Sequence, residues 1–435
     1  MHAVTDLQTT RCCLPTERME CKTLMHGGEQ VTGTAVVIPN MHQSERYSSV
    51  LPRCGAYPRL LFSRRAVLPA SAWLGRNYAA AQWETLVRAS TGVHSFGPAV
   101  LALSRGKRVS HNAAFLCSKA VLLAFGGRDR RTVSRKRTSE VGIFVLESGA
   151  PNGAATSTAP WPPVWSGLHH ALSGSHPGCT ERRDGLNGTC EFDGMLSTVH
   201  LNGSVLMYAR ANTRRGGGGR FVQATRSLDG RSGWAPFQLI RFECGHPIRD
   251  RTISRPGAPR PPRGNAAPVT APSYKGIRFD GWSLVDIYLF VVRPRQGDGD
   301  GLVALFPATF TVGTNDVPHG GVFLSFSRDG MTWTPPTQLM RSRPHADPAL
   351  HVIASEMQYR TRDYPVDWSA NADGSVSIQI EHNVQLYGQQ RPEERRPRIN
   401  TTESDLGRTP FHCVYTLHQS VSRVRQCGVR WQLLA

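Results

Sequence analysis

The segment CEFDGMLSTVHLNGSVLMYARANTRRGGGGRFVQATRSLDGRSGWAPFQLI, residues 190–240, carries the densest β-strand signal in the sequence. Two strand-like runs flank Asn202-Gly203, and a third run follows a glycine-rich loop. Asn-Gly between two such runs is a strong hairpin signal, because both central residues of a type I′ turn need a positive φ. The third run ends in Ser-Leu-Asp-Gly at 227–230, with Trp234 just beyond. The segment predicts three or four short antiparallel strands closed by a tight turn.

The same Ser-x-Asp-Gly turn recurs at 327–330, after a second strand-like run and ahead of Trp333. A weaker copy ends at 147–148, with Trp161 after an insertion. In such a turn the Ser and Asp side chains accept backbone N–H bonds, Gly takes a positive φ, and the Trp packs under the next strand. Repeated units of this kind are typical of the blades of a β-propeller.

This turn resembles the Asp-box of sialidases and the equivalent strand-end turn of the five-bladed propeller glycosidases, the relatives of invertase, levansucrase and arabinanase. The resemblance implies an all-β fold, a five-bladed β-propeller over residues 109–435, with a Pro- and Arg-rich insertion at 243–276. The turn is structural in those families, so it indicates architecture and leaves the activity open. The sialidase chemistry itself is not expected, since the Arg-Ile-Pro motif of the first blade is absent.

The composition limits the possible partners. The net charge is +19, which by itself indicates an anionic partner, yet only five of the 51 basic residues are lysines. We interpret the arginine excess as codon bias, and no nucleic-acid recognition motif accompanies it, so no nucleic-acid partner is predicted. Anionic glycans remain open. The chain also has no apolar run of about 18 residues, so no membrane span is predicted.

The ten cysteines include no Cys-x-x-Cys pair, which disfavours a zinc ribbon or a thioredoxin-type site. Cys179 and Cys190 flank one polar loop, and Cys413 and Cys427 flank another segment, so each pair could form a disulfide in an oxidising compartment. The chain also carries three N-glycosylation sequons, at Asn187, Asn202 and Asn400. These features favour a secreted or secretory-pathway protein, with an organelle as the other possibility.

Two regions are expected to lie outside the propeller blades. Residues 1–108 show no clear periodicity, and the arginine-rich stretch between Arg46 and Trp83 has no acidic residue, a composition like that of a transit peptide. We therefore expect a low-order N-terminal region. Residues 149–185 hold several histidines without the spacing of a metal site, so we expect a solvated loop, no metal and no cofactor.

The resemblance also implies where catalysis would occur. Propeller glycosidases place carboxylates on the innermost strands, one acting as nucleophile or base and another as general acid. Asp193, at a predicted innermost strand start, is the candidate nucleophile or base. The candidates for the general acid are Asp286, Asp347, Glu356 and Glu381. For each of them a turn or a solvated strand position is the competing structural interpretation.

The candidate substrate-binding residues are His111, Asn112, Arg128 and Arg210. The sequence thus predicts a glycoside hydrolase or transglycosidase that acts on a carbohydrate through two channel carboxylates. The alternative is a non-catalytic carbohydrate-binding propeller, which the His111-Asn112 opening favours because it has no carboxylate. A protein-interaction scaffold and the oligomeric state stay open.

Overall fold

A computed structural model describes residues 24–26, 29–36, 38, 41, 45–67, 82–92, 95–104, 113–128, 142–148, 161–173, 195–212, 220–249, 274–287, 289–295, 301–313, 319–342, 363–382 and 411–417. All regular structure in these ranges is β-strand, which confirms the all-β prediction. None of them forms a helix long and apolar enough to cross a membrane.

The strands in the first half of the chain are β1 (Leu24–His26), β2 (Glu29–Val31), β3 (Thr34–Val36), β4 (Glu45–Leu51), β5 (Leu60–Val67), β6 (Gln82–Ala89), β7 (Val100–Leu103), β8 (Ala114–Ser118), β9 (Val121–Arg128), β10 (Gly142–Ser148), β11 (Trp165–Ser173), β12 (Ser197–Leu201) and β13 (Ser204–Asn212). Those in the second half are β14 (Arg220–Ser227), β15 (Gln238–Leu239), β16 (Arg241–Phe242), β17 (His246–Arg249), β18 (Tyr274–Phe279), β19 (Trp282–Ile287), β20 (Val291–Pro294), β21 (Leu302–Val312), β22 (His319–Ser327), β23 (Thr332–Trp333), β24 (Thr337–Ser342), β25 (Tyr364–Ala370), β26 (Val376–His382) and β27 (Phe411–Leu417).

Most of these strands form five antiparallel sheets. The first sheet is β4–β5–β6–β7, the second is β8–β9–β10–β11, the third is β12–β13–β14–β15, and the last is β25–β26–β27–β3. The large sheet has seven strands: β17–β18–β19–β21–β22–β24, with β20 paired to β21. Two-stranded pairs, β1–β2 and β16–β23, complete the described structure.

The sheets are arranged around a ring of inner strands. The strands β4, β8, β12, β20 and β25 contact one another in turn, and β25 returns to contact β4. From each of these strands the chain runs outward through antiparallel neighbours, as at the hairpin turn Asn202-Gly203, where both φ angles are positive (48° and 72°). The strand β3, near the start of the described chain, pairs with β27, the last described strand, so the last sheet joins both parts of the chain. The arrangement is propeller-like.

The strands β4 to β7 form the first sheet, so the low order expected for residues 1–108 is wrong for these strands. Two arginines of this sheet are paired with acidic residues that lie just outside the acid-free stretch: Arg88 binds Glu45 at 2.8 Å, and Arg65 binds Glu84 at 2.7 Å. A composition window misses such pairs, because the partners meet only across strands. The propeller-like part therefore begins well before residue 109.

The two Ser-x-Asp-Gly turns have the predicted bonds. In the first, Ser227 Oγ accepts the N–H of Gly230 at 3.1 Å, and Gly230 has a φ of 74°. Asp229 Oδ1 accepts the N–H groups of Arg231 at 2.7 Å and Ser232 at 2.8 Å. Burial alone would raise the pKa of Asp229, but these backbone bonds lower it to about 2.

The tryptophans that follow the three turns in the sequence differ in burial. Trp333 is fully buried and donates its Nε1–H to the carbonyl of Gly330 at 3.2 Å, and Trp234 is 5% exposed. Trp161, behind the weaker copy, is 43% exposed and does not pack as predicted.

Two further expectations change in part. Residues 165–173 form the strand β11, which pairs with β10, so the loop predicted over 149–185 is wrong there, although residues 166–170 are exposed as expected. The two ends of the predicted insertion at 243–276 pair with each other as β17 and β18, and its middle lies outside the described residues.

One disulfide joins two cysteines that the sequence did not suggest as a pair. Cys54 and Cys117 are bonded, with a Cα–Cα distance of 5.5 Å, and join the first sheet to the second. Cys244 and Cys413 are each in a disulfide as well. Cys427, the predicted partner of Cys413, and the pair Cys179 and Cys190 lie outside the described residues.

Candidate functional site

Four of the innermost strands begin close together. Tyr47, Met195, Val291 and Tyr364, from the starts of β4, β12, β20 and β25, pack in one buried cluster with Leu289. The rings of Tyr47 and Tyr364 meet edge to face at 5.6 Å. We call this the strand-start end of the ring.

Buried polar groups surround the strand-start end on the side of the first and last sheets. Glu45 begins β4, Asp363 precedes β25, and Glu381 is the register partner of Tyr364. All three carboxylates are at most 1% exposed. The charged or titratable side chains here, which we call the polar cluster, are Glu45, Arg88, Asp363, Glu381, His382 and His412.

Glu45 is held within the first sheet. Arg88 Nη1 donates to Glu45 Oε2 at 2.8 Å, and Arg88 Nη2 donates to Oε1 at 3.0 Å. The hydroxyl of Ser63 donates to Oε2 at 2.7 Å. A bidentate pair of this kind is strong and fixes the orientation of both groups. Glu45 therefore ties β4, β5 and β6 together.

A β-bulge in β4 connects the first sheet to Glu381. The register shifts between Arg46 and Ser49, and Tyr47 has a φ of 56°, which is unusual for a residue other than glycine. The bulge directs the Ser48 N–H to Glu381 Oε2 at 3.0 Å, across the boundary between the first and last sheets. Backbone strain of this sort is often located at functional sites.

His412 lies next to this contact and is neutral. Gln379 Nε2 is 2.8 Å from its Nδ1, and Ser48 Oγ is 3.5 Å from its Nε2. Since an amide nitrogen can only donate, Nδ1 is the acceptor and Nε2 carries the hydrogen. Burial lowers the pKa of His412 to about 3, and the charges of His382 and Arg88 act in the same direction.

His382 links an acid to a phenol. Its Nδ1 is 2.8 Å from Asp363 Oδ1, and its Nε2 is 3.0 Å from the hydroxyl of Tyr415. Burial and the nearby charge of Asp363 raise the pKa of Tyr415 well above its usual range. This Asp–His–Tyr chain fixes Asp363 at the start of β25.

The predicted catalytic residues have different outcomes. Glu381 lies in the polar cluster. Asp286 lies on β19 of the large sheet, where Arg220 binds both of its oxygens at 2.8 and 3.0 Å. The backbone N–H of Arg220 also donates to Asp286, at 2.7 Å. These bonds give Asp286 a structural partner in the third sheet.

The remaining candidates are mostly outside the described residues. These are the candidate carboxylates Asp193, Asp347 and Glu356 and the candidate ligand contacts His111 and Asn112. Arg128 ends β9, but its side chain is not described. Arg210 is 8% exposed and lies inside the third sheet, so it is not a rim residue.

Sequence reasoning missed most of the polar cluster. Glu45 and Arg88 fall in the region for which low order was predicted. The residues 376–382 offered a signal, because Gln379 and Glu381 alternate with two buried isoleucines in a strand that is buried on both faces. A polar residue in such a strand needs an internal partner.

No group of three or more His, Cys, Asp or Glu side chains in the described ranges could hold a metal ion. Asp363 and His382 already bond to each other, and the pair lacks a third ligand among the residues placed near it.

No protein-family model and no curated protein matches this chain. Among solved structures, an N-acetylgalactosamine deacetylase from F. plautii in complex with blood group B trisaccharide aligns with 88% of this chain and 90% of its own, at a TM-score of 0.44 and 13% identity. The endo-arabinase of Bacteroides thetaiotaomicron aligns with 90% of this chain and 99% of its own, at a TM-score of 0.42 and 8% identity. An α-L-arabinanase of Penicillium chrysogenum complexed with arabinobiose aligns with 89% and 98%, at a TM-score of 0.38 and 10% identity. At these values the similarity does not transfer a function to this chain.

Proposed function

We propose that the protein is a glycoside hydrolase or transglycosidase that acts on an oligosaccharide or polysaccharide, with its reactive carboxylates at the strand-start end of the ring. The observation that carries this proposal is the placement of Glu381, the candidate general acid, beside the start of the innermost strand β25, with Asp363 just before that strand. Glu381 is fixed by the Ser48 N–H at 3.0 Å and Asp363 by His382 at 2.8 Å. Acid–base catalysis at a glycosidic bond needs two carboxyl groups held in fixed positions.

The architecture in this proposal is a five-bladed propeller. The path β20–β21–β22–β24 within the large sheet has the same outward order as the four-stranded sheets. The strands β17, β18 and β19 would then be an extension of that blade. Together with the ring of inner strands, this order supports five repeats and agrees with the family resemblance of the two turns.

The roles follow from the positions along the chain. We assign Asp193 as nucleophile or base, because it precedes by two positions Met195, a member of the strand-start cluster. We assign Glu381 as general acid. Asp347 and Glu356 are also kept as candidates for the acid, and His111, Asn112 and Arg128 as contacts of the sugar.

A second candidate function is a carbohydrate-binding propeller without catalysis. The observation that favours it is the ion pair of Glu45, the carboxylate that opens the first innermost strand. Both of its oxygens are bound by Arg88, at 2.8 and 3.0 Å. A carboxylate with both oxygens bound in this way serves to join strands, so the first sheet would contribute no reactive group.

We also propose that the protein passes through the secretory pathway. The support is the disulfide between Cys54 and Cys117, together with the bonded Cys244 and Cys413, because such bonds persist in oxidising compartments. The sequon asparagine Asn202 lies at an exposed hairpin turn, where an oligosaccharyltransferase can reach it.

The test is glycan release by the full-length chain from a panel of plant, algal and fructan oligosaccharides. We expect release by the wild type, loss of at least a hundredfold in Asp193→Asn and Glu381→Gln, and near-normal release in Asp286→Asn, a matched carboxylate-to-amide change outside the polar cluster. A folded wild type that releases nothing but retains glycans on a column would favour the binding alternative. Equal losses in all three variants would reject the assignment of Asp193 and Glu381.

A further inference from the structure

The junction between the last and first sheets is built differently from its neighbour. Fourteen buried apolar residues form the cluster between the first and second sheets, and the disulfide Cys54–Cys117 crosses the same boundary. Among the described residues, the cluster between the last and first sheets has four buried apolar members, Val50, Leu61, Phe96 and Val366, and the ring contact of Tyr47 with Tyr364 adds to it. Because apolar burial supplies most of the cohesion between packed sheets, the last-to-first junction depends more on polar bonds.

Two sets of polar bonds cross this junction. Near the strand-start end, Glu381 and His412 of the last sheet face Ser48 of the first. Farther along the ring, Arg59 of the first sheet binds Asp367 of the last at 2.8 Å, and Arg293 of the large sheet binds the same carboxylate at 3.0 Å. Only the first set contains a histidine.

We propose that this junction is an acid-sensitive latch, in which proton uptake at His412 separates the last sheet from the first while the other sheet boundaries stay closed.

The contacts of His412 explain why a proton would open the latch. Protonation adds a hydrogen at Nδ1, which then faces the amide nitrogen of Gln379, so the present bond is lost and Gln379 must turn its amide oxygen to the ring to form a new one. The new charge also faces Arg88 and His382, both of which oppose it. Glu381, the register partner of His412, offsets part of this repulsion, but its Oε2 is already bound by the Ser48 N–H.

The direction of the pH effect follows from linkage. Burial keeps the pKa of His412 at about 3 in the closed form, whereas an exposed histidine has its ordinary pKa of 6.5. Between these values the open form binds one proton more than the closed form. The opening constant therefore rises as the pH falls through this window, by at most about tenfold per pH unit for one proton.

The experiment is pulsed hydrogen–deuterium exchange of the full-length protein from pH 7 to pH 4.5, followed by mass spectrometry and corrected for the intrinsic exchange rate. We expect exchange in β4 and in β26–β27 to accelerate up to tenfold per pH unit, while β13 and β14 stay protected. His412→Gln should remove this pH dependence. His200→Gln should keep it, because His200 is an exposed histidine that bonds to the Cys117 carbonyl. Equal acceleration in every sheet, or an unchanged pH dependence in His412→Gln, would overturn the latch.

A second variant keeps the test decisive if His412→Gln does not fold. Gln379→Glu places a carboxylate next to Nδ1, at the position now 2.8 Å away, and would stabilise a protonated His412 in the closed form. We expect opening in this variant to require a lower pH than in the wild type. An opening midpoint that does not move, or moves to higher pH, would contradict the proposal.

Discussion

At the scale of single residues, the glycine of a Ser-x-Asp-Gly turn has two separate reasons to be glycine. Gly330 has a φ of 77°, and a Cβ there would lie 2.4 Å from Leu206 Cδ1 and 2.7 Å from Tyr208 Oη of the third sheet. We expect Gly330→Ala to lower the free energy of unfolding by roughly 2–4 kcal/mol, from backbone strain and overpacking together. Gly203→Ala is the control, because Gly203 has a φ of 72° but no neighbouring atom within 4 Å, and it should cost only about 1 kcal/mol. Chemical denaturation of both variants measures the difference. Equal losses of unfolding free energy would show that a Cβ at position 330 does not clash with the third sheet.

At the scale of strands and turns, the sequence predicts what is local and misses what is distant. The Asn-Gly hairpin and the turn at 227–230 are correct, because each is determined by residues two to five positions apart. The first sheet and the polar cluster are missed, because their bonds join residues far apart in the chain. Ser48 meets Glu381 across 333 positions. From the sequence alone, Glu381 is therefore read as a polar residue at a strand end, because its partner Ser48 is far away in the chain.

The disulfide between the first and second sheets also acts between neighbouring strands, and its contribution to stability can be predicted. Cys54 follows β4 and Cys117 belongs to β8, and the bond closes a loop with a sequence separation of 63. Chain entropy assigns a loop of this length about 4 kcal/mol of stability. We expect the double variant Cys54→Ala/Cys117→Ala to lose roughly this amount in chemical denaturation without reductant. A loss below about 1 kcal/mol would mean that the apolar cluster between these two sheets already constrains the unfolded chain.

At the scale of the whole molecule, one buried histidine makes overall stability depend on pH. The pKa of His412 is about 3 in the folded protein and ordinarily 6.5 in an unfolded chain, so the unfolded chain takes up the proton first as the pH falls. The free energy of unfolding that His412 contributes is fully present above pH 6.5. It decreases as the pH falls towards 3, by about 5 kcal/mol at most. Asp229 adds a smaller loss at lower pH, because its folded pKa is lowered to about 2 and its stabilisation disappears between pH 4 and pH 2.

Urea denaturation of the wild type and His412→Gln at pH 7.5, 6, 5 and 4 separates this histidine from every other titrating group. Glutamine does not titrate. Below pH 6 the wild type should therefore lose about 1.4 kcal/mol of unfolding free energy per pH unit more than the variant does. His200→Gln, at an exposed histidine, should follow the wild type at every pH. Because the unfolded state is the reference, this slope reports the cost of burying a neutral His412, whether or not the junction opens first. Curves for the wild type and His412→Gln that stay parallel from pH 7.5 to pH 4 would mean that His412 accepts a proton without leaving its site, and that the polar cluster tolerates the charge.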